Sequence, residues 1–232
     1  MSHLDNIRAR STLWDILEGQ PQHLAMVVFL TLGALALLPE TGTATLFGLT
    51  AQGWAVTSIA LAVIHQTIVA VVFRLQLHRN LFSRLFGPSD MKVWGVIFMP
   101  LLVVRPLTII MIGWAGDTPI TDFRGVEVIM GLGLVGIAIW GMHSVIVYFT
   151  IPRALGGDHF RDEYAQMPLV DKGAFAVTSN AMYGLIFFGL TGIALLFGSK
   201  EALIIAAFQH TYIWVHMYCT EKPDMEWIYG SR

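Results

Sequence analysis

The chain has 232 residues, of which 55% are hydrophobic and 13% charged, with a formal net charge of −2 and a mean hydropathy of +0.64. Soluble domains carry about 25% charge, so this composition reads as an integral membrane protein, and its scattered Lys and Arg residues offer no basic stripe to nucleic acid. The single cysteine, Cys219, excludes an internal disulfide and a thiolate metal cage.

The first twenty residues, MSHLDNIRARSTLWDILEGQ, include acids and no continuous apolar core, so no cleavable signal peptide is expected there. Residues 1–23 read as a cytoplasmic N-terminal segment. A bilayer core of roughly 30 Å takes about 20 apolar residues in a helix, and six stretches approach that length: Leu24–Leu38, Trp54–Phe73, Val93–Trp114, Val126–Ile151, Ala181–Phe197 and Ala202–Cys219. The expected fold class is all-α, a polytopic transmembrane helical bundle of about six spans (five to seven), the short first and fifth being tilted or extended into their flanks. Arg74, Arg79, Arg84 and Lys92 lie in the second connection and Arg153, Arg161 and Lys172 in the fourth, whereas the first has no Lys or Arg. The positive-inside rule then places those two connections and both termini in the cytoplasm. Gly198-Ser199-Lys200-Glu201 is short enough to make the last two spans an antiparallel hairpin. That hairpin brings Thr178-Ser179-Asn180 beside Cys219-Thr220-Glu221-Lys222-Pro223.

Polar chemistry gathers on this hairpin. His210, Trp214, Met217 and Glu221 recur at helical spacing and are expected on one face. A hydrogen bond inside the bundle and a solvated helix end account for His210 and Glu221 without any function. Ser179 and Asn180 are N-cap types that satisfy the free amides of a helix start, and such amides also hold anions. Gly131-Leu132-Gly133-Leu134-Val135-Gly136 matches Gly-x-Gly-x-x-Gly in form, but it lies within an apolar helix and follows no strand, so a dinucleotide fold is not indicated. Close helix packing explains these glycines; a bulky ligand lying against the helix is the other use. His65, Arg105 and His143 are ionisable groups inside spans, where they face a cavity or a partner. Arg105, ahead of Pro106 in a helix that the proline should kink, is a candidate anchor for an anionic headgroup or a cofactor carboxylate, with bundle carbonyls as its structural alternative. The scattered histidines exclude a di-iron site, leave bis-histidine haem ligation open, and give no metal site.

The stretch "KGAFAVTSNAMYGLIFFGLTGIALLFGS" resembles the integral-membrane phospholipid and isoprenylcysteine methyltransferases, whose corresponding segment runs through Asn-Pro-Met-Tyr into an apolar span. "MYCTEKPDMEWIYG" is similar to their terminal Glu-Glu element, and the form of both motifs is closest to the phosphatidylethanolamine N-methyltransferases. The matching positions are Asn180-Ala181-Met182-Tyr183, Glu221-Lys222-Pro223 and Ile228-Tyr229. Two residues depart from the pattern: Ala181 replaces the proline, and Lys222 replaces the second acid. The likeness covers roughly residues 125–232, which divides the chain into the N-terminal segment, transmembrane helices over 24–124 and a methyltransferase-like core over 125–232.

The resemblance implies a membrane-embedded methyltransferase using S-adenosylmethionine, with the active site toward the cytoplasmic side and a membrane lipid as partner. It implies cofactor-binding positions at Gly131, Gly133, Asn180, Tyr183 and Glu221. Trp214 joins them because its π face suits a sulfonium or a methylated ammonium. An amine acceptor must shed a proton first, which calls for a base; His210 is the first candidate and His143 the second. The favoured acceptor is a lipid amine of the phosphatidylethanolamine type. A thiol or a prenylcysteine-like carboxylate is the enzymatic alternative, and a catalytically inactive scaffold or a haem-binding protein the alternative outside that class. The oligomeric state is not readable.

Overall fold

The chain is described by a computed structural model over residues 2–40 and 42–230. In chain order the helices are α1 (His3–Arg10), α2 (Leu13–Leu17), α3 (Gln20–Leu37), α4 (Ala51–Arg79), α5 (Leu81–Phe86), α6 (Asp90–Ala115), α7 (Arg124–Ser144), α8 (Ile151–Ala154), α9 (Gly157–Phe160), α10 (Asp162–Ala165), α11 (Phe188–Phe197), α12 (Lys200–His216) and α13 (Lys222–Tyr229). Single π turns extend α7 over Val145–Phe149 and α12 over Met217–Glu221. Among the described residues there are no strands, only two isolated bridges. The architecture is the expected all-helical bundle, and six long or apolar helices (α3, α4, α6, α7, α11, α12) correspond to the six predicted stretches. α3 with α2 ahead of it, α4, α6 with α5 ahead of it, and α7 with its π turn are long and apolar enough to cross a membrane; α11 is a shorter apolar helix.

Local sequence explains the boundaries. Ser2 with Asp5 and Thr12 with Asp15 form capping boxes at α1 and α2. Thr50 and Ser199 cap α4 and α12 through their hydroxyls. Asn80 ends α4, and Gly198 ends α11, both in the left-handed region. Pro100 and Pro106 lie inside α6, which nevertheless runs as one continuous helix. Neighbouring helices can re-satisfy the carbonyls that such prolines free.

The main core joins α3, α4, α6, α11 and α12 through Ala34, Ala55, Ile59, Ile109, Ile112, Ala194, Ile205 and Tyr212. α7 packs on α11 through small residues. A β-carbon on Gly131 would come 2.9 Å from the Gly192 carbonyl, and one on Gly189 would come 2.8 Å from the Ala138 β-carbon, so the backbones approach as only glycine permits. The outer faces expose Phe29, Leu32, Val96, Val103, Ile129, Leu132 and Ile139, as lipid contact requires.

One end of the bundle gathers α1, α13 and the end of α4 around Leu4, Ile7, Leu77, Trp227 and Ile228. Both terminal segments and the two Arg-bearing connections meet at this basic end. At the opposite end Lys200 N donates to Thr118 O at 2.9 Å, and Arg124 donates to the Leu195 and Leu196 carbonyls, closing the α6–α7 connection against the α11–α12 turn.

Candidate active site

A cavity of about 930 Å³ runs from the basic end into the bundle between α4, α6, α7, α11 and α12. Its deep wall is apolar, with Phe98, Leu102, Val135, Ala138 and Leu190, and its basic end carries Asp158, Asn180, Tyr183, Glu221, Lys222 and Tyr229. A chamber of this size with convergent polar groups at one end is the form of a ligand site.

Two irregular backbone segments shape that end. The π turn Met217–Glu221 turns both of its end residues into the cavity, and π turns of this kind recur at functional sites. The segment before α11 is equally loose. Tyr183 N and Gly184 N both bond to Asn180 O, and Leu185 N and Ile186 N both bond to Ala181 O. The predicted fifth span therefore begins at Ala181 in irregular turns and becomes regular only at Phe188. The cap at this threshold is Thr178, whose hydroxyl accepts from Asn180 N at 3.2 Å; Ser179 and Asn180 instead line the cavity.

Glu221 is held on both sides. The Tyr183 hydroxyl donates to its Oε2, and His216 Nε2 lies 3.5 Å from its Oε1. Behind it, Arg74 and Asp224 form a buried ion pair at 3.0 Å, with side chains 2% and 0% exposed. Arg74 also donates to the carbonyls of Glu18, Cys219 and Thr220 at 2.9, 3.4 and 3.3 Å, tying the turn before α3 to the π turn. Gly19 sits in that turn at φ 76°, and a β-carbon there would collide with the Cys219 carbonyl.

His159 completes the arrangement. Its Nδ1 lies 2.9 Å from Asp158 Oδ1 and its Nε2 3.1 Å from Asp224 Oδ2, and its ring stacks on Phe73. Burial alone would push the imidazole down, but the Asp158 and Asp224 carboxylates outweigh it and push the pKa up to about 10. Asp158, which burial would raise, is held below the usual carboxylate range by the His159 charge and by hydrogen bonds from His159 and Tyr229. Sequence reading missed His159, Asp158 and Asp224. Asp158 and His159 lie in a polar connection with no motif spacing, and Asp224, although inside the terminal element, meets His159 only through folding.

The predicted residues separate into two groups. Asn180, Tyr183, Glu221 and Arg105 line the cavity; His210, His143, Trp214, Gly131 and Gly133 do not. α11 covers the upper part of the predicted α12 stripe, so His210 packs on Phe187 and Phe188 with ring centroids 5.8 and 5.1 Å away. Trp214 packs behind Tyr183, at 6.1 Å. His143 and Gly133 are exposed on the outside of α7, and Gly131 is consumed by the contact with Gly192. Arg105 is 2% exposed. Its Nε donates to Gln209 Oε1 at 2.7 Å, its guanidinium lies 4.7 Å from the Phe187 ring centroid, and its Nη1 has no partner.

The carboxylates of Glu221 and Asp158 suit a ligand with hydroxyls and an ammonium, and the apolar walls suit a lipid. Residues 126–232 match the family model described as phospholipid methyltransferase. Curated relatives are phosphatidylethanolamine N-methyltransferases. That of Kluyveromyces lactis is 27% identical over 158 residues, 62% of this chain and 18% of the relative. That of Malassezia globosa is 25% identical over 139 residues, 60% of this chain and 14% of the relative. That of Lodderomyces elongisporus is 28% identical over 107 residues, 45% of this chain and 12% of the relative. The chain thus spans less than a fifth of the length of these relatives. No solved structure matches. The matched region 126–232 supplies the polar end of the cavity, including Asp158, Asn180, Tyr183, Glu221 and Lys222.

Proposed function

We propose that the chain methylates the amine headgroup of a membrane phospholipid of the phosphatidylethanolamine type, with S-adenosylmethionine as donor. The observation that carries this reading is the single chamber joining a carboxylate-bearing basic end to an apolar interior. When bound, the donor supplies an electrophilic methyl group. The protein's share of such an in-line displacement is to align the partners and keep water out.

Glu221, fixed by the Tyr183 hydroxyl, and Asp158, fixed by His159 and Tyr229, are the groups for the donor's hydroxyls and ammonium, and Asn180 adds an amide. The basic end, where α1 and α13 meet, is the cytoplasmic side in this reading. Arg105 takes the anionic part of the substrate. Its partner Gln209 precedes Glu221 by twelve residues, about 18 Å along a helix, so the two polar sites hold different groups. Arg105 is a buried cation with an open Nη1 and no carboxylate among its hydrogen-bond partners, and such a group favours an anion strongly.

The test is two measurements on the detergent-solubilised protein and its host membranes. S-adenosylmethionine should bind, and lipids from cells carrying the chain should show mass increases of one methylene unit per transfer. Absence of donor binding at millimolar concentration refutes the reading; binding with an unchanged lipid profile moves the acceptor to a thiol.

A further inference from the structure

Each methylation of an ammonium must release a proton from the chamber. The acceptor nitrogen loses H⁺, its lone pair forms the new C–N bond, and the methyl–sulfur bond breaks with its electron pair remaining on sulfur. One proton per methyl group must therefore leave the chamber by a path that the ligands do not block.

Behind Glu221, outside the main cavity, lies His216, 1% exposed. Its Nε2 is 3.5 Å from Glu221 Oε1, and neither ring nitrogen makes a hydrogen bond. Its ring lies 5.6 Å from that of His23 on α3. His23 is also buried, at 6% exposed, with Nε2 unpartnered and Nδ1 3.4 Å from Gln20 Oε1. His23 and Gln20 line a second cavity of about 130 Å³, together with Leu24, Val27, Thr67 and Tyr212. That space has the volume of several waters at about 30 Å³ each. The titratable groups around His216 are His23 from α3, His65 from α4, Tyr212 one turn earlier on α12, and Glu221 with Tyr183 in front of it. Arg105 of α6 stands on the far side of His65. Arg74, which reaches the Thr220 carbonyl, is neutralised by Asp224.

We propose that Glu221, His216 and His23 form a lateral proton exit, carrying the proton shed by the acceptor amine out of the main chamber into the small cavity beside α3. Two buried imidazoles with open nitrogens stand between a chamber carboxylate and a second cavity whose lining includes Gln20, Thr67 and Tyr212. An imidazole suits the task because it gains one proton on one nitrogen and releases one from the other near neutral pH. The inference rests on the reading of the main chamber as an amine methylation site.

The test uses the full chain in phosphatidylethanolamine membranes with S-adenosylmethionine. His216→Gln keeps volume and hydrogen-bonding capacity; it should slow methylation roughly 10²-fold at pH 7, the lower range of proton-transfer effects, with the deficit shrinking as pH rises. His23→Ala should slow it less, and added imidazole should restore the rate by occupying the enlarged cavity. In the ligand-free protein with ¹⁵N-labelled imidazoles, Glu221→Gln and His23→Gln should each displace the His216 titration, since coupled sites shift one another. A wild-type protein that methylates while both variants keep its rate and pH profile overturns the exit alone. So does a His216 titration that neither replacement moves. A wild-type protein that methylates no amine overturns the parent reading and the exit together.

Discussion

Asp224→Asn tests whether the buried charge network holds the site in shape. Asp224 is fully buried, 3.0 Å from Arg74 and 3.1 Å from His159 Nε2, so the substitution leaves two cationic side chains where one carboxylate had faced both. His159 keeps Asp158, but Arg74 keeps only neutral carbonyls. Removing one partner of a buried pair costs about 3–5 kcal/mol, roughly two to four powers of ten in the folding equilibrium. Because Arg74 also clamps the Cys219 and Thr220 carbonyls, Glu221 should lose its fixed position, and donor affinity should fall together with stability. Denaturant unfolding of the purified protein and titration with S-adenosylhomocysteine measure the two effects. Replacing both charges, as in Arg74→Met with Asp224→Leu, should recover part of the stability and none of the affinity. A cost for Asp224→Asn below about 1 kcal/mol, the size of a solvated pair, would refute the reasoning, because it would mean that water already reaches Arg74.

His159 has a raised pKa, so its contribution to stability should be complete below about pH 6.5 and disappear as pH climbs through about 10; unfolding measured from pH 6 to 10.5 should show that loss, and Asp158→Asn should move its upper edge downward. Glu221→Gln and Tyr183→Phe should both weaken binding of S-adenosylhomocysteine, Glu221→Gln more, since it removes charge as well as an acceptor; equal affinities in calorimetry would remove Glu221 from the donor site. Gly131→Leu should cost about 1–3 kcal/mol by overpacking against Gly192 and Leu196, whereas the same change at exposed Gly133 should be close to neutral; unfolding of the two variants distinguishes packing from ligand contact. Asp158→Asn should also lower donor affinity, read by the same calorimetry, because it removes a carboxylate from the chamber's polar end.

Long apolar runs made the helices legible, and the short link at Gly198 made the terminal hairpin legible, because length and hydropathy are local properties. The approach of the Asn180 threshold to Glu221 followed from the same hairpin, whereas Tyr183 came from the family resemblance. The stripe through His210 and Trp214 failed differently. Its helical period is real, but a period names a face and not what covers it, and α11 covers the upper half of this one. The glycine run on α7 illustrates the same ambiguity, since Gly131 meets a helix and Gly133 meets nothing in the protein. Asp158 and His159 are adjacent, but their other partners, Tyr229 and Asp224, lie 71 and 65 residues away, and His216 meets Glu221, five residues on, across a π turn that uniform helical geometry does not anticipate.

The two departures from the family pattern acquire a physical meaning in this frame. Ala181 is fully buried against Val145, Ala174 and Phe175, and its carbonyl accepts from both Leu185 and Ile186. The loosened turn that a proline would enforce is therefore present without one, held by packing and by the Thr178 cap. Lys222 points into the mouth of the chamber where the pattern has an acid, but Asp158 reaches that mouth from another connection and is held ionised by His159. A second carboxylate is thus present in space at that mouth, on α9 and paired to His159. Lys222 then adds a cation beside Glu221 at the chamber's mouth.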